Sequence, residues 1–253
     1  MALLAHEWYK RSSHIIESAE GPVSVPRSFN YSSLSPKRKT LTTSALLQYE
    51  KESREMFLTT YKDYIRYAFP MDDLRPLSCK GVNSQGGVAL TLLDSLDSLL
   101  VFQDLVSFRH AVTHIKNHSS FDFDVRVHVF EMTIRALGGL LSAHNLLALD
   151  DRLVPGYEGW LLQAAVDLAD RLVPAFDTPT GLPLSWINLR RGQVRGDTRV
   201  TCTACAGTLL LEFGVLSRLT GNSTYEAKAK RAMEYLWSEY AVLLFLVVFS
   251  RII

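Results

Sequence analysis

Cysteine is scarce in this 253-residue sequence, which has three: Cys79, Cys202 and Cys205. So few cannot staple a small disulfide scaffold, and the odd number leaves one free or paired with another chain. An excess of charge is lacking too, with 27 Lys and Arg against 26 Asp and Glu. A duplex nucleic-acid binder needs a basic surplus, so nucleic acid is excluded as a partner. The apolar tail from Ala241 to Phe249 is stopped by Ser250 and Arg251. That is too short for the roughly 20 residues of a spanning helix. At the other end, His6, Glu7 and Lys10 cut short the apolar start. A signal peptide needs an apolar stretch of roughly 7–15 residues, so none is recognised. No repeat at a fixed period is visible.

What is present is an ordinary globular composition, 47% hydrophobic and 21% charged. That supplies a real core and a first estimate of one large domain or two small ones. Three sequons, at Asn30, Asn117 and Asn222, tilt the reading towards the secretory pathway. Cys202-Thr203-Ala204-Cys205 matches C-x-x-C, a redox pair or half of a zinc site. No second half follows and no thioredoxin-like βαβ pattern surrounds it, so neither is favoured.

Residues 1–44 are rich in Ser, Pro and basic residues and read as a mobile leader. Helical periodicity then predicts a helix from Leu46 to Phe69, ended by Pro70, and a loop from Pro76 to Gly87. Further helices are predicted over Val88–Val101, Asp104–Lys116, Val127–Leu149 and Tyr157–Leu172. Phe130, Ile134, Leu137, Leu141 and His144 form the apolar stripe of the third of these. Residues 175–200 read as a loop with one short strand near Leu184–Leu189. Ala206–Leu219 is apolar nearly all round and predicts a fully buried helix, followed by a last helix over Tyr225–Tyr240. About seven helices and no convincing sheet make the fold class all-α.

Five acidic or basic positions stand out chemically. Glu131 and Arg135 are four residues apart on an apolar helix, where an i,i+4 ion pair is the plain expectation. Gly138-Gly139 follows within the same helix at a propensity cost of roughly 2 kcal/mol. A neighbouring backbone or a ligand must therefore approach closely. Asp94 and Asp97 lie three apart on another apolar helix and fit capping or arginine pairing better than catalysis. Glu212 stands alone among leucines and needs a partner or a raised pKa. A structural Glu–Arg pair and a pocket acid are equally open there.

The segment Val129-Phe130-Glu131-Met132-Thr133-Ile134-Arg135-Ala136-Leu137-Gly138-Gly139 resembles the signature of glycoside hydrolase family 47, the class I α-mannosidases. Thr91–Leu99, Arg171–Phe176, Thr178–Pro183 and Leu211–Gly221 extend the likeness over about residues 50 to 240. Pro70–Gly81 and Val200–Ala204 look like its ER degradation-enhancing branch, EDEM, and Cys205 stands where processing mannosidases carry a glutamate.

The resemblance implies the first half of an (α/α)7 barrel, a six-hairpin-like toroid of paired helices, in the ER lumen. It implies removal of α-1,2-linked mannose from high-mannose N-glycans of misfolded glycoproteins, with inversion and with Ca2+ at the pocket floor. Glu131 becomes the acid-side catalytic residue and Arg135 its neighbour in the sugar site. Asp94 and Glu212 are weaker carry-overs, as substrate-binding carboxylates or framework. Cys79 becomes a possible contact for an oxidoreductase partner. The family's domain is nearly twice this long, and its later acids and calcium-binding threonine have no counterpart to name here. The expectation is a truncated, inactive member, with residues 45–240 as half of the barrel and 241–253 as a non-family tail. A lectin-like or client-binding protein without enzymatic activity is the alternative, and a ligand-free helical scaffold the third.

Overall fold

Residues 41–249 are described in the computed structural model, apart from 119, 151, 195 and 197–199, with side chains through residue 239. Most of the expected leader, the Asn30 sequon and the last four residues lie outside them. The packing of the helices and strands lies within residues 49–249.

Helix α1 (Thr43–Tyr67) turns inward Tyr61, which periodicity places on its apolar stripe, and also Tyr64 beside that stripe, while Met56, likewise beside it, is exposed. Two three-residue strands, β1 (Asp73–Arg75) and β2 (Lys80–Val82), then pair antiparallel. The predicted helix over Val88–Val101 is in fact two, α2 (Leu90–Asp94) and α3 (Leu96–Val101). The break falls at Ser95, whose hydroxyl donates to the Thr91 carbonyl at 2.6 Å. Such side-chain bonding competes with the helical ladder. Leu90, Leu92, Leu93, Leu96 and Leu99 from the two pieces are all buried. Helix α4 (Leu105–Asn117) is capped by Asp104, which accepts the Ser107 N–H at 3.1 Å. Its start is therefore where the sequence places it.

Strand β3 (Arg126–His128) pairs antiparallel with β4 (Trp186–Asn188), inside the span where a strand was expected. Val127 and His128 are thus strand, and the long helix begins at Val129. It runs as α5 (Val129–Glu131), a π-helical segment (Met132–Leu137) and α6 (Gly138–Leu149). A π turn admits an extra residue and rotates the positions after it about the helix axis. Ile134, placed on the apolar stripe by periodicity, consequently faces outward at 36% exposure. Leu137 of the same stripe is buried as expected, and Met132, Thr133 and Ala136 are buried with it.

Helix α7 (Trp160–Leu172) packs back on α6 and continues into a 3-10 turn (Val173–Phe176). The expected single helix over Ala206–Leu219 is again two, α8 (Thr203–Gly207) and α9 (Leu210–Thr220). It is not buried all round, since Leu211 is 71% exposed. Gly221, at φ 72°, turns the chain from α9 into α10 (Thr224–Phe249), which packs back along α9. Only glycine takes that left-handed conformation at little cost. The helix runs nine residues past its predicted end, yet no helix among the described residues is long and apolar enough to cross a membrane. Helices paired in hairpins around one apolar core, with two minimal ladders at the loops, confirm the all-α class.

Candidate active site

The π-helical segment carries the site. Its entry is pinned by three hydrogen bonds, two of them from loops on either side. The His128 N–H donates to Gln85 Oε1 at 2.7 Å, the Val129 N–H to the Ser185 carbonyl at 2.9 Å, and the Thr133 hydroxyl to the Val129 carbonyl at 2.8 Å. Glu131 is half-buried on this stretch. The imidazole of His128, three residues before it, stands edge-on to Trp186 at 4.9 Å, with Nδ1 buried and unpartnered. Burial lowers the His128 pKa despite the opposing pull of Glu131, so the ring is neutral near pH 7.

Arg135 does not pair with Glu131. Its Nε donates to Asp94 Oδ2 at 2.8 Å and its Nη2 to Asp73 Oδ1 at 3.2 Å. Burial alone would lower its pKa, but hydrogen bonds to the two carboxylates outweigh that and the net shift is upward. The guanidinium is therefore a fixed cation, 24% exposed at its side chain. Asp94 takes the arginine-pairing role that its residue type suggests. Asp73 has the same role and does not stand out in the sequence, since it lies in a loop-like stretch without periodicity. Thr91 Oγ1 donates to Asp73 Oδ1 at 3.3 Å and Ser84 Oγ to Oδ2, which fixes the carboxylate further. Asp72, fully buried, instead accepts the backbone N–H groups of Gln85, Gly87, Val88 and Leu90. It holds the loop that leads into α2.

The two mid-helix glycines have separate causes. A Cβ on Gly139 would lie 2.1 Å from the Leu93 carbonyl oxygen, so α2 and α6 meet backbone to backbone there. A Cβ on Gly138 would lie 3.8 Å from Glu212 Cγ, which places the α9 carboxylate over the same helix. Glu212 has found no arginine: its Oε2 is buried without a partner, and burial raises its pKa. Asp97 accepts the Ser142 hydroxyl at 3.1 Å and serves to join α3 to α6. Glu131, Arg135 with Asp94, and Glu212 are thus gathered along one helix, by contributions from α2, β1 and α9. The cavity of about 570 Å³ between Thr178–Leu184 and Tyr235 includes none of them in its lining.

The sequence pattern of Glycosyl hydrolase family 47 matches residues 56–244, which span all of these elements. The chain belongs to this family. It is 48% identical over 194 residues to alpha-mannosidase I MNS4 of Arabidopsis thaliana, covering 76% of this chain and 31% of that protein. It is 43% identical to ER degradation-enhancing alpha-mannosidase-like protein 2 of Homo sapiens, covering 75% of this chain and 33% of that one. Among solved structures, the alpha-1,2-mannosidase from Trichoderma reesei superposes with a TM-score of 0.65 at 30% identity. That match covers 75% of this chain and 40% of the other. The chain therefore spans about a third of the length of the curated relatives it matches. The fold corresponds to part of the family 47 (α/α)7 barrel.

Calcium, which the family resemblance implies, finds no cage here. Among the described residues no group of three or more His, Cys, Asp or Glu could hold a metal ion. The nearby carboxylates are otherwise engaged, Asp94 and Asp73 with Arg135, Asp72 with backbone amides and Asp97 with Ser142. A hard cation needs 6–8 oxygen ligands, which this face does not gather.

Proposed function

We propose that this family 47 chain recognises α-1,2-linked mannose on the high-mannose N-glycans of misfolded glycoproteins in the ER. The observation that carries the reading is Arg135, locked by two aspartates on a π turn one helical turn beyond Glu131. A guanidinium held in this way presents its remaining N–H groups to vicinal sugar hydroxyls with little rotamer entropy left to lose. Glu131 is assigned the acid side of the inverting reaction. Glu212, with its carboxyl pushed towards the protonated form, can donate a hydrogen bond to the sugar. Inversion also requires a base carboxylate roughly 6.5–9.5 Å from the acid, with room for water. The family resemblance puts the other essential acids outside the matched stretch, so to residues 56–244 taken by themselves we assign recognition of the glycan. The ER setting is supported by the relatives' names and by the Cys202–Cys205 disulfide, a bond that persists in oxidising compartments. Asn117 and Asn222 are exposed sequon positions consistent with it. The oxidoreductase partner expected at Cys79, which is exposed and free, gains no support beyond that exposure.

The test is calorimetric titration of the chain with a Man9 N-glycan, with released mannose measured in parallel. Binding that falls at least tenfold in Arg135→Ala, without mannose release, is the expected result. Absence of binding would overturn the reading, and mannose release would overturn the non-catalytic part alone. A client-binding role is the second reading, favoured by exposed Leu211 and by Trp237 at 77% exposure. Loss of unfolded-client binding in Trp237→Lys, with glycan binding intact, would establish it.

A further inference from the structure

Cys202 and Cys205 are joined in a disulfide across two intervening residues, with Cα atoms 4.9 Å apart. That excludes both sulfurs as thiolate ligands of zinc in this state. It does little as a staple. Loop closure by a cross-link stabilises least when the loop is short, and this one is among the shortest possible. The backbone of α8 already sets the pair, through Ala206 N–H on the Cys202 carbonyl at 3.1 Å. A structural reason for the bond is therefore weak.

The sulfurs are instead arranged for exchange. Cys202, Thr203 and Ala204 are exposed and Cys205 is half-buried, so an incoming thiolate meets Cys202 first. The Cys205 backbone N–H donates to Cys202 Sγ at 2.9 Å. A hydrogen bond to sulfur favours the thiolate over the thiol, the form that leaves and attacks in exchange. The pair also sits against the site: α8 packs on α5, which ends in Glu131, and on α10. Ser185 ties the same places together, its hydroxyl donating to the Val200 carbonyl at 2.7 Å while its carbonyl accepts the Val129 N–H.

We propose that Cys202–Cys205 is a thiol–disulfide exchange centre that oxidises pairs of thiols, two in one polypeptide or one in each of two small molecules, beside the glycan site. In the first step a substrate thiolate attacks Cys202 Sγ. The S–S bond breaks, its electron pair leaves on Cys205 as a thiolate, and a mixed disulfide joins the substrate to Cys202. In the second step the other substrate thiolate attacks the substrate sulfur of that mixed disulfide. Cys202 leaves as the thiolate held by the Cys205 N–H. The substrate is oxidised to a disulfide and the chain is reduced to a dithiol, with its two thiol protons supplied by those lost from the substrate. The proposal does not rest on glycan binding, since neither step uses Glu131 or Arg135.

The experiment uses the full chain carrying Cys79→Ser, so that the pair supplies all its sulfur chemistry. It is mixed in single turnover with a fluorescent two-cysteine peptide or with reduced glutathione, and thiols are trapped by alkylation and weighed. The expected result is one equivalent of oxidised peptide or glutathione per chain, formed at least tenfold faster than in the Cys202→Ser, Cys205→Ser double variant. Cys205→Ser should trap a mixed disulfide at Cys202, and Cys202→Ser at least tenfold less at Cys205. Transfer to either thiol source upholds the proposal and tells the sources apart. A folded chain, checked by circular dichroism, whose pair stays oxidised against both would overturn it without reference to any variant.

Discussion

Two arginine–carboxylate networks in the same molecule are built from the same chemistry and do different things. Around Arg135, one guanidinium draws Asp94 from α2 and Asp73 from β1 onto the π-helical segment, with Arg135 and Asp73 half-buried and Asp94 exposed. Around Arg171 on α7 and Arg190 and Arg191 after β4, three guanidinium groups form a rim network with Asp167 on α7 and with Asp122 and Asp124 before β3. Arg171 also donates to the Leu189 carbonyl at 3.2 Å, and Asp167 accepts the Phe121 N–H at 2.7 Å. The rim network thus fastens the loop before β3 to the loop after β4. The inner network orients a single cation beside a candidate acid. What separates a site from a staple is the backbone beneath the ions. The inner network lies over a seam where α2 touches α6 at Gly139.

The sharpest way to break that contrast is to open the seam. Gly139→Ala would force a methyl against the Leu93 carbonyl, for which the backbone must move. A loss of about 3 kcal/mol in urea unfolding is expected, with glycan binding lost alongside. Next in size is Arg135→Ala, which removes the cation that Asp94 and Asp73 share. About 2 kcal/mol of stability should go, and glycan affinity at least tenfold. Arg135→Lys separates the two effects: it restores charge and much of the stability but not the two-pronged donor geometry, so affinity stays low in calorimetry. Arg171→Ala should show the opposite pattern, with a stability loss of about 1 kcal/mol that shrinks in high salt. Its glycan affinity should be unchanged. If Arg171→Ala abolished binding, the division between site and staple would be wrong.

The rim network also has a pH signature. Hydrogen bonds from Arg190 to Asp122, and from Asn188 and Arg191 to Asp124, lower both carboxyl pKa values. A carboxylate with a depressed folded pKa stabilises above its unfolded value and loses that contribution as pH falls through the folded one. Acidification below about pH 4 should therefore loosen the loops over residues 121–125 and 189–191. Hydrogen exchange of their amides, followed against pH, would show it.

Much of this architecture was legible in the sequence because helices announce themselves by period and punctuation. The helix expected from Asp104 begins there, with Asp104 as its cap, and the one expected to end at Leu172 ends there. Gly138-Gly139 was legible as a close approach, though not as two different ones, a backbone and a carboxylate. The π turn was not legible at all. Its residues Met132–Leu137 read as ordinary helix, and the extra residue per turn is fixed by tertiary packing. That turn is why Ile134 is misplaced and why Arg135 finds aspartates rather than Glu131. Asp73 was missed for a related reason: its partner lies 62 residues away, and no local pattern encodes so distant an ion pair.

The smallest expected effect concerns Glu212, a site residue that belongs to neither network. Its Oε2 is buried without a partner and its pKa is raised by burial, so the folded chain holds that proton more tightly than the unfolded chain. A carboxyl with a raised folded pKa stabilises fully only below its unfolded value, near 4.5, and the benefit is lost as pH rises through the folded value. Glu212→Gln removes the titration and keeps the shape. Relative to the unsubstituted chain, Glu212→Gln should therefore gain stability between about pH 4 and pH 7. Urea unfolding of both chains at the two pH values measures this difference and cancels the pH-independent cost of the amide. A difference of opposite sign would mean that Glu212 is charged and paired in the fold, a third ionic network in place of a neutral sugar-facing donor.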